Sequence, residues 1–155
     1  MGPQGERLVP VEGIPARPGK TTLAAGEFIA ELRLPPRPAG GGDAYLRATP
    51  RTEMDIAIVG VGVALVVGVD GICTAARVAL GAVAPTAILV PEAGAALVGT
   101  RVDDTAIDAM EKAARAACRP IGDKRGSAEY RTHMAGVLAR RAASIALSRA
   151  KGEPA

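Results

Sequence analysis

Few residues in this chain have the types and spacing that chemistry requires. Gly19–Lys20–Thr21–Thr22 has the ending of a phosphate-binding loop, in which backbone N–H groups cradle phosphate and the lysine pairs with it. That loop needs a glycine five residues before Gly19, where this chain has Ile14, and no strand pattern leads into it. Gly60, Gly62 and Gly68 do not form a dinucleotide fingerprint, and they fall inside a strand pattern rather than at a strand-to-helix turn; they read as small residues where a helix or backbone approaches a sheet. His133, the only histidine, reads as a lone surface or rim residue rather than a catalytic base. No serine has a Gly-x-Ser-x-Gly setting. Cys73 and Cys118 are too few to hold an iron–sulfur cluster or to complete a structural zinc site, and they read as reduced, buried thiols. Asp103, Asp104 and Asp108 suit the positive start of a helix better than a metal. Taken alone, these residues define no active site.

The elements that would position them follow from composition and period. The chain has 155 residues, 48% of them hydrophobic, with one Phe, two Tyr and no Trp. That is one domain whose core is built from Ala, Val, Ile and Leu. A net charge of +3, with no basic run and few aromatics to stack on bases, argues against a nucleic-acid partner. Met1–Pro10 is polar and rich in Pro and Gly, without a signal core. The most apolar run, Ile56–Val69, falls short of the roughly 20 residues that span a bilayer. The expectation is a cytoplasmic protein without a membrane span.

Along the chain, residues 1–20 read as an extended arm. Glu27–Leu34 alternates Phe28, Ala30, Leu32 and Leu34 against Ile29, Glu31 and Arg33, which predicts a half-buried strand. Ala44–Ala48 predicts a short strand, Thr49–Glu53 a turn, and Asp55–Val69 a long strand. Asp70–Gly71 predicts a type I′ hairpin turn, with Cys73–Leu80 as the return strand. Gly81–Thr86 is a loop. Pro91–Val98 is a short helix closed by Gly99. Asp103 or Asp104 caps a helix running to about Cys118, with Ala106, Ile107, Met110, Ala113, Ala114 and Ala117 on its apolar face.

Arg119–Ala143 is the most distinctive stretch. Pro120 stops the preceding helix, Pro120–Gly126 is a loop, and Ser127 caps a long helix with Glu129 in its first turn. Tyr130, Met134, Leu138, Ala142 and Ile145, with Val137 beside them, recur at helical spacing as an apolar stripe. Arg131, Arg140, Arg141, Arg149 and Lys151 lie mostly off it, as a solvated basic face. Strands first and helices after them give an α+β class: a small antiparallel sheet, a three-stranded meander plus an extra N-terminal strand, packed with C-terminal helices.

The order of these pieces is familiar. Ala79–Leu80–Gly81–Ala82–Val83–Ala84–Pro85–Thr86 and Arg125–Gly126–Ser127–Ala128–Glu129–Tyr130–Arg131 are the most specific. With them, residues 20 to 150 resemble the C-terminal domain of the flavoprotein (medium) subunit of the molybdenum hydroxylases, a family including bacterial carbon monoxide dehydrogenase and xanthine dehydrogenase.

The resemblance implies an oxidoreductase component rather than a complete enzyme. In the family, the medium subunit carries FAD and takes electrons from [2Fe–2S] clusters in a small iron–sulfur subunit. Those clusters are fed by molybdopterin in a large subunit. The FAD pyrophosphate is held mainly by Gly-rich loops of an N-terminal domain. The implied division is residues 1–20 as the end of that flavin domain, 21–150 as the C-terminal domain and 151–155 as a disordered tail, with the N-terminal flavin domain missing from this sequence. The C-terminal domain lends the flavin pocket residues from its first meander strand and the following turn. These map onto Arg47, two positions after Tyr45, and onto Arg51, Asp55 and Ile56. Some relatives place an aromatic residue where this chain has Ile56. Without the resemblance, Arg47 and Arg51 are equally strand-edge charges, and Asp55 is a turn cap. The alternative reading is a noncatalytic module that docks a partner through its helical face.

Overall fold

Val59, Val61, Val63 and Leu65 alternate with Gly60, Gly62, Ala64 and Val66, and that alternation sets the architecture. The computed structural model describes residues 1–52 and 54–153. Glu53, in the expected turn, and Pro154 and Ala155, in the expected tail, lie outside the described residues. A four-stranded antiparallel sheet runs in the order β3 (Gly41–Ala48), β4 (Val59–Val67), β5 (Cys73–Gly81), β6 (Ile88–Leu89). Before it, β1 (Pro15–Arg17) and β2 (Lys20–Thr21) form a separate two-stranded hairpin. Three helices follow: α1 (Pro91–Ala95), α2 (Asp104–Ala117) and α3 (Ala128–Ala150). The class is α+β, with the larger sheet packed on C-terminal helices.

Register aligns the apolar positions on one face. Ala44 faces Val63 and Leu46 faces Val61 across β3–β4, and Val61 faces Leu80 and Val63 faces Val78 across β4–β5. Packing α3 on β3 and β4, with α2 beside it and α1 on β5, buries this face. Close approach is possible because α3 presents alanines. Ala135, Ala139, Ala142, Ala143 and Ala146 are fully buried, and a Cβ on Gly42 of β3 would collide with the Ala146 carbonyl oxygen. The helix starts are as expected: Asp103 accepts from Ala106 N–H at 3.0 Å and Ser127 accepts from Tyr130 N–H at 3.1 Å. Both cysteines are free and buried, and burial pushes both thiols above their ordinary pKa.

Four expectations are corrected. First, Glu27–Leu34 is not a strand of the sheet: it is irregular, without ladder pairing to the sheet, and Phe28, Ile29, Leu32 and Leu34 are all exposed. Its backbone bonds local neighbours and the N-terminus, Glu27 N–H donating to the Ala24 carbonyl at 3.0 Å and Phe28 N–H to the Met1 carbonyl at 3.0 Å. Alternation marks a segment able to pair, but a strand forms only where a partner edge lies alongside. The extra strand of the sheet is β6 instead.

Second, the hairpin is not type I′. Only Gly71 in the turn has positive φ, at 78°. Gly71 N–H donates to the Gly68 carbonyl at 2.9 Å, and Gly68 N–H to the Ile72 carbonyl at 2.8 Å. This is a three-residue loop closed by a left-handed glycine. Asp70 favours it by accepting from Ile72 N–H at 3.0 Å.

Third, the buried residues of α3 are Arg131, Ala135, Gly136, Leu138, Ala139, Ala142, Ala143 and Ala146, so of the expected stripe Leu138 and Ala142 are buried and the rest are not. Tyr130 is exposed, and Met134 and Ile145 are half-buried. The stripe is rotated because a helix seated this close to a sheet turns its smallest side chains inward. Larger ones flank the contact.

Fourth, Gly60 is small not for a helix but for a side chain on the opposite face: a Cβ there would lie 2.6 Å from the Tyr45 hydroxyl.

Candidate functional site

The loop between β3 and β4 is built by one carboxylate. Asp55 Oδ2 accepts from Arg51 N–H at 3.0 Å and Oδ1 accepts from Ile56 N–H at 2.8 Å. The Arg51 guanidinium approaches Oδ2 at 3.5 Å, and Arg125 approaches Oδ1 at 3.5 Å. The Asp55 side chain is only 4% exposed. Burial alone would push its carboxyl upward, but these donors outweigh that, and its pKa lies below the ordinary 3.8. Asp55 is thus an ionised structural anchor with no proton to exchange near neutral pH.

With its backbone held in this way, the loop presents its side chains outward. Met54 and Ile56 are exposed, and the Arg51 side chain points largely to solvent. Met54 has φ 47°, an uncommon conformation for a residue other than glycine. Arg47 sits on the exposed face of β3, opposite Gly60. Tyr45 lies two residues earlier on the same face, beside Gly60 and Gly62 of β4. The loop thus exposes two apolar side chains, Met54 and Ile56, with the Arg51 cation among them and Arg47 on the exposed face of the strand that leads into it.

Among the sequence-derived site residues, Arg51, Asp55 and Ile56 come together in one bonded loop, and Arg47 stands on the strand that leads into it. The second anchor was missed. Asp123, Arg125 and Arg131 surround the base of the loop. Arg131 is among the buried residues, although a charged side chain on α3 reads as surface. Its position four residues before Ala135, on the alanine face, was the available signal. Asp123 accepts from the Arg131 guanidinium at 2.7 Å and from Arg125 N–H at 2.8 Å. The Arg131 bond, then the Arg125 N–H, hold the Asp123 carboxyl below its ordinary value.

Among the described residues there is no cluster of His, Cys, Asp and Glu suited to a metal ion. No described helix is long and apolar enough to cross a membrane. Gly19–Lys20 falls at the tip of the β1–β2 hairpin, with no helix behind it to receive phosphate.

The fold and this loop belong to a known class. The profile of the CO dehydrogenase flavoprotein C-terminal domain matches residues 44–146, and the chain belongs to that family. It is similar to the carbon monoxide dehydrogenase medium chain of Afipia carboxidovorans, with 39% identity over 150 residues, 97% of this chain and 51% of that protein. It is also similar to the xanthine dehydrogenase FAD-binding subunit of Escherichia coli O157:H7, with 27% identity over 97% of this chain and 52% of that one. In three dimensions it matches a solved chain of reconstituted CO dehydrogenase from Oligotropha carboxidovorans with a TM-score of 0.90 and 38% identity, covering 96% of this chain and 51% of that one. The chain thus spans about half the length of the relatives it matches.

Proposed function

We propose that this chain forms one wall of an FAD site in a molybdenum-hydroxylase flavoprotein and docks the subunits that deliver electrons to it. Membership of the flavoprotein C-terminal domain family carries the reading. The exposed side chains of the loop fit the ring of the cofactor. Met54 and Ile56 offer exposed apolar contact and Arg47 and Arg51 offer cations, which suits a planar ring with a polar edge. The Arg51 and Ile56 N–H groups are already taken by Asp55, so those two donors are not free for pyrophosphate.

FAD, when bound, supplies electron-transfer chemistry. The chain's own residues orient the ring, shield one side of it from water and balance its charge. Arg47 and Arg51 would balance negative charge on the ring, Ile56 and Met54 would supply packing, and Asp55 fixes the loop backbone. Ile56 gives contact without aromatic stacking.

The arm supports a docking role. Leu8, Phe28, Leu32 and Leu34 are exposed around an open hollow of about 840 Å³, a surface suited to the flavin-binding half of the protein. We assign residues 1–20, and the extended segment through Leu34, to that contact. The partners are a large molybdopterin subunit and a small [2Fe–2S] subunit, in a cytoplasmic complex. Two buried free thiols are consistent with that compartment.

The experiment is purification of the chain from its own cell. Co-purification of an FAD-containing half together with molybdopterin and iron–sulfur subunits is expected. The chain produced alone should be colourless and bind FAD weakly. Stoichiometric flavin on the isolated chain, or purification from the cell without those partners, would overturn the reading.

A further inference from the structure

The two stretches that carry the family resemblance, Ala79–Thr86 and Arg125–Arg131, meet at one side chain. Arg131 is 4% exposed. Its Nη1 donates to the Ile58 carbonyl at 2.7 Å and to the Ala82 carbonyl at 3.4 Å, and its Nη2 to Asp123 Oδ1 at 2.7 Å. Its Nε is buried and has no partner among the described residues. Burying a guanidinium with one donor unmet is unfavourable, and a well-packed apolar side chain often serves a core equally well or better. An apolar residue could not grip the Ile58 and Ala82 carbonyls and the Asp123 carboxylate at once.

Two of the gripped groups, at Ile58 and Asp123, lead to the loop. Ile58 N–H donates to the Ala48 carbonyl at 2.8 Å, so Ile58 closes the loop at its base while α3 holds its carbonyl. Asp123 continues the line outward: it pairs with Arg125, Arg125 pairs with Asp55, and Asp55 binds Arg51 and Ile56. Ala82 has φ 63°, a conformation costly for alanine that persists only where surroundings enforce it.

We propose that Arg131 is a positioning residue: from the buried face of α3 it fixes the conformation of the Arg51–Ile56 loop. On the flavin reading above, on which this consequence rests, it thereby sets the wall offered to the isoalloxazine without touching it. The loop is then preorganised by the protein rather than ordered by its ligand.

The test is amide hydrogen exchange on the full chain with Arg131→Met, which keeps an unbranched apolar stem and removes the donors. Exchange at Arg51, Ile56 and Ile58 should accelerate by about tenfold or more, while α2 and the centre of β5 keep wild-type rates. Unchanged exchange in the loop, or an equal rise everywhere, would overturn the proposal. If Arg131→Met does not fold, Asp123→Asn decides: it spares the Arg131 bond to Ile58 and should accelerate Arg51 and Ile56 alone, and no change there overturns the proposal. The flavin reading is separated by FAD retention in the native complex carrying the same variant. A looser loop with about tenfold weaker FAD supports both. A looser loop with unchanged FAD supports positioning and removes the flavin role of the loop. FAD loss with unchanged loop exchange overturns positioning.

Discussion

Gly71 and Asp123 show how single residues set this structure. Gly71 holds φ 78°, and a Cβ there would lie 2.8 Å from the Arg101 guanidinium. Gly71→Val therefore forces a β-branched residue into a left-handed conformation, while the end of the Arg101 side chain can move aside. It should destabilise the chain by about 1 kcal/mol or more, read as a lower urea midpoint at unchanged slope. A wild-type midpoint would mean that the turn does not need this glycine. Asp123 and Asp55 both have pKa values below the ordinary 3.8. Depressed carboxylates contribute stability that is fully present above the unfolded value and lost as pH falls through the folded one. Stability should thus fall on acidification below about pH 4. Asp123→Asn should be weaker than wild type at neutral pH, and the two curves should converge in acid. A constant gap at every pH would show that the carboxylate charge is not what Asp123 contributes.

At the scale of elements, α3 carries most of the argument. Leu138→Asp places a carboxylate in the buried contact with the sheet and should cost several kcal/mol, a large share of a domain's stability. Arg140 is not the free surface charge that its position suggests. It bonds Glu111 at 3.0 Å and Asp108 on α2, with Asp104 at 3.9 Å. Glu111 and Asp108, in that order, raise its pKa. Arg140→Asp would set four acids together between the helices. It should lower the melting temperature measurably, though less than Leu138→Asp, and most at low salt. Equal melting temperatures for the two variants would refute the assignment of the buried face.

These elements also show what a sequence displays. Caps, turn glycines and β4 alternation are local, and Asp103, Ser127 and Gly99 fall where local chemistry puts them. The face of α3 is decided by how close a helix can sit to a strand, a tertiary matter that favoured alanine over Tyr130 and Met134. Asp55 was legible as a turn cap because its partners are one and four residues away. Arg131 was not, because its acceptors at Ile58 and Ala82 become neighbours only after the sheet has formed.

For the whole molecule, the contrast lies between a well-covered helical side and an uncovered arm. The sheet core has no share in Glu27–Leu34, whose outward Leu34 is 89% exposed. The arm is held mainly by Arg7 to Glu27, a doubled contact at 2.7 Å that lowers the Glu27 pKa to about 2, and by Glu12 to Arg77 at 3.3 Å. Exposed ion pairs of this kind stabilise weakly. An extended, alternating apolar segment without a partner strand invites pairing with another chain. The isolated chain should accordingly self-associate as concentration rises, and more so in kosmotropic salt, which strengthens apolar burial. Leu32→Lys with Leu34→Lys should restore a monomer by light scattering while leaving the melting temperature close to wild type, because neither side chain packs in the core. In the native complex the same pair should weaken retention of the flavin-binding half. A monomeric wild-type chain at all concentrations, or an unaltered complex with the double variant, would remove the arm as a contact surface and leave docking to the helices.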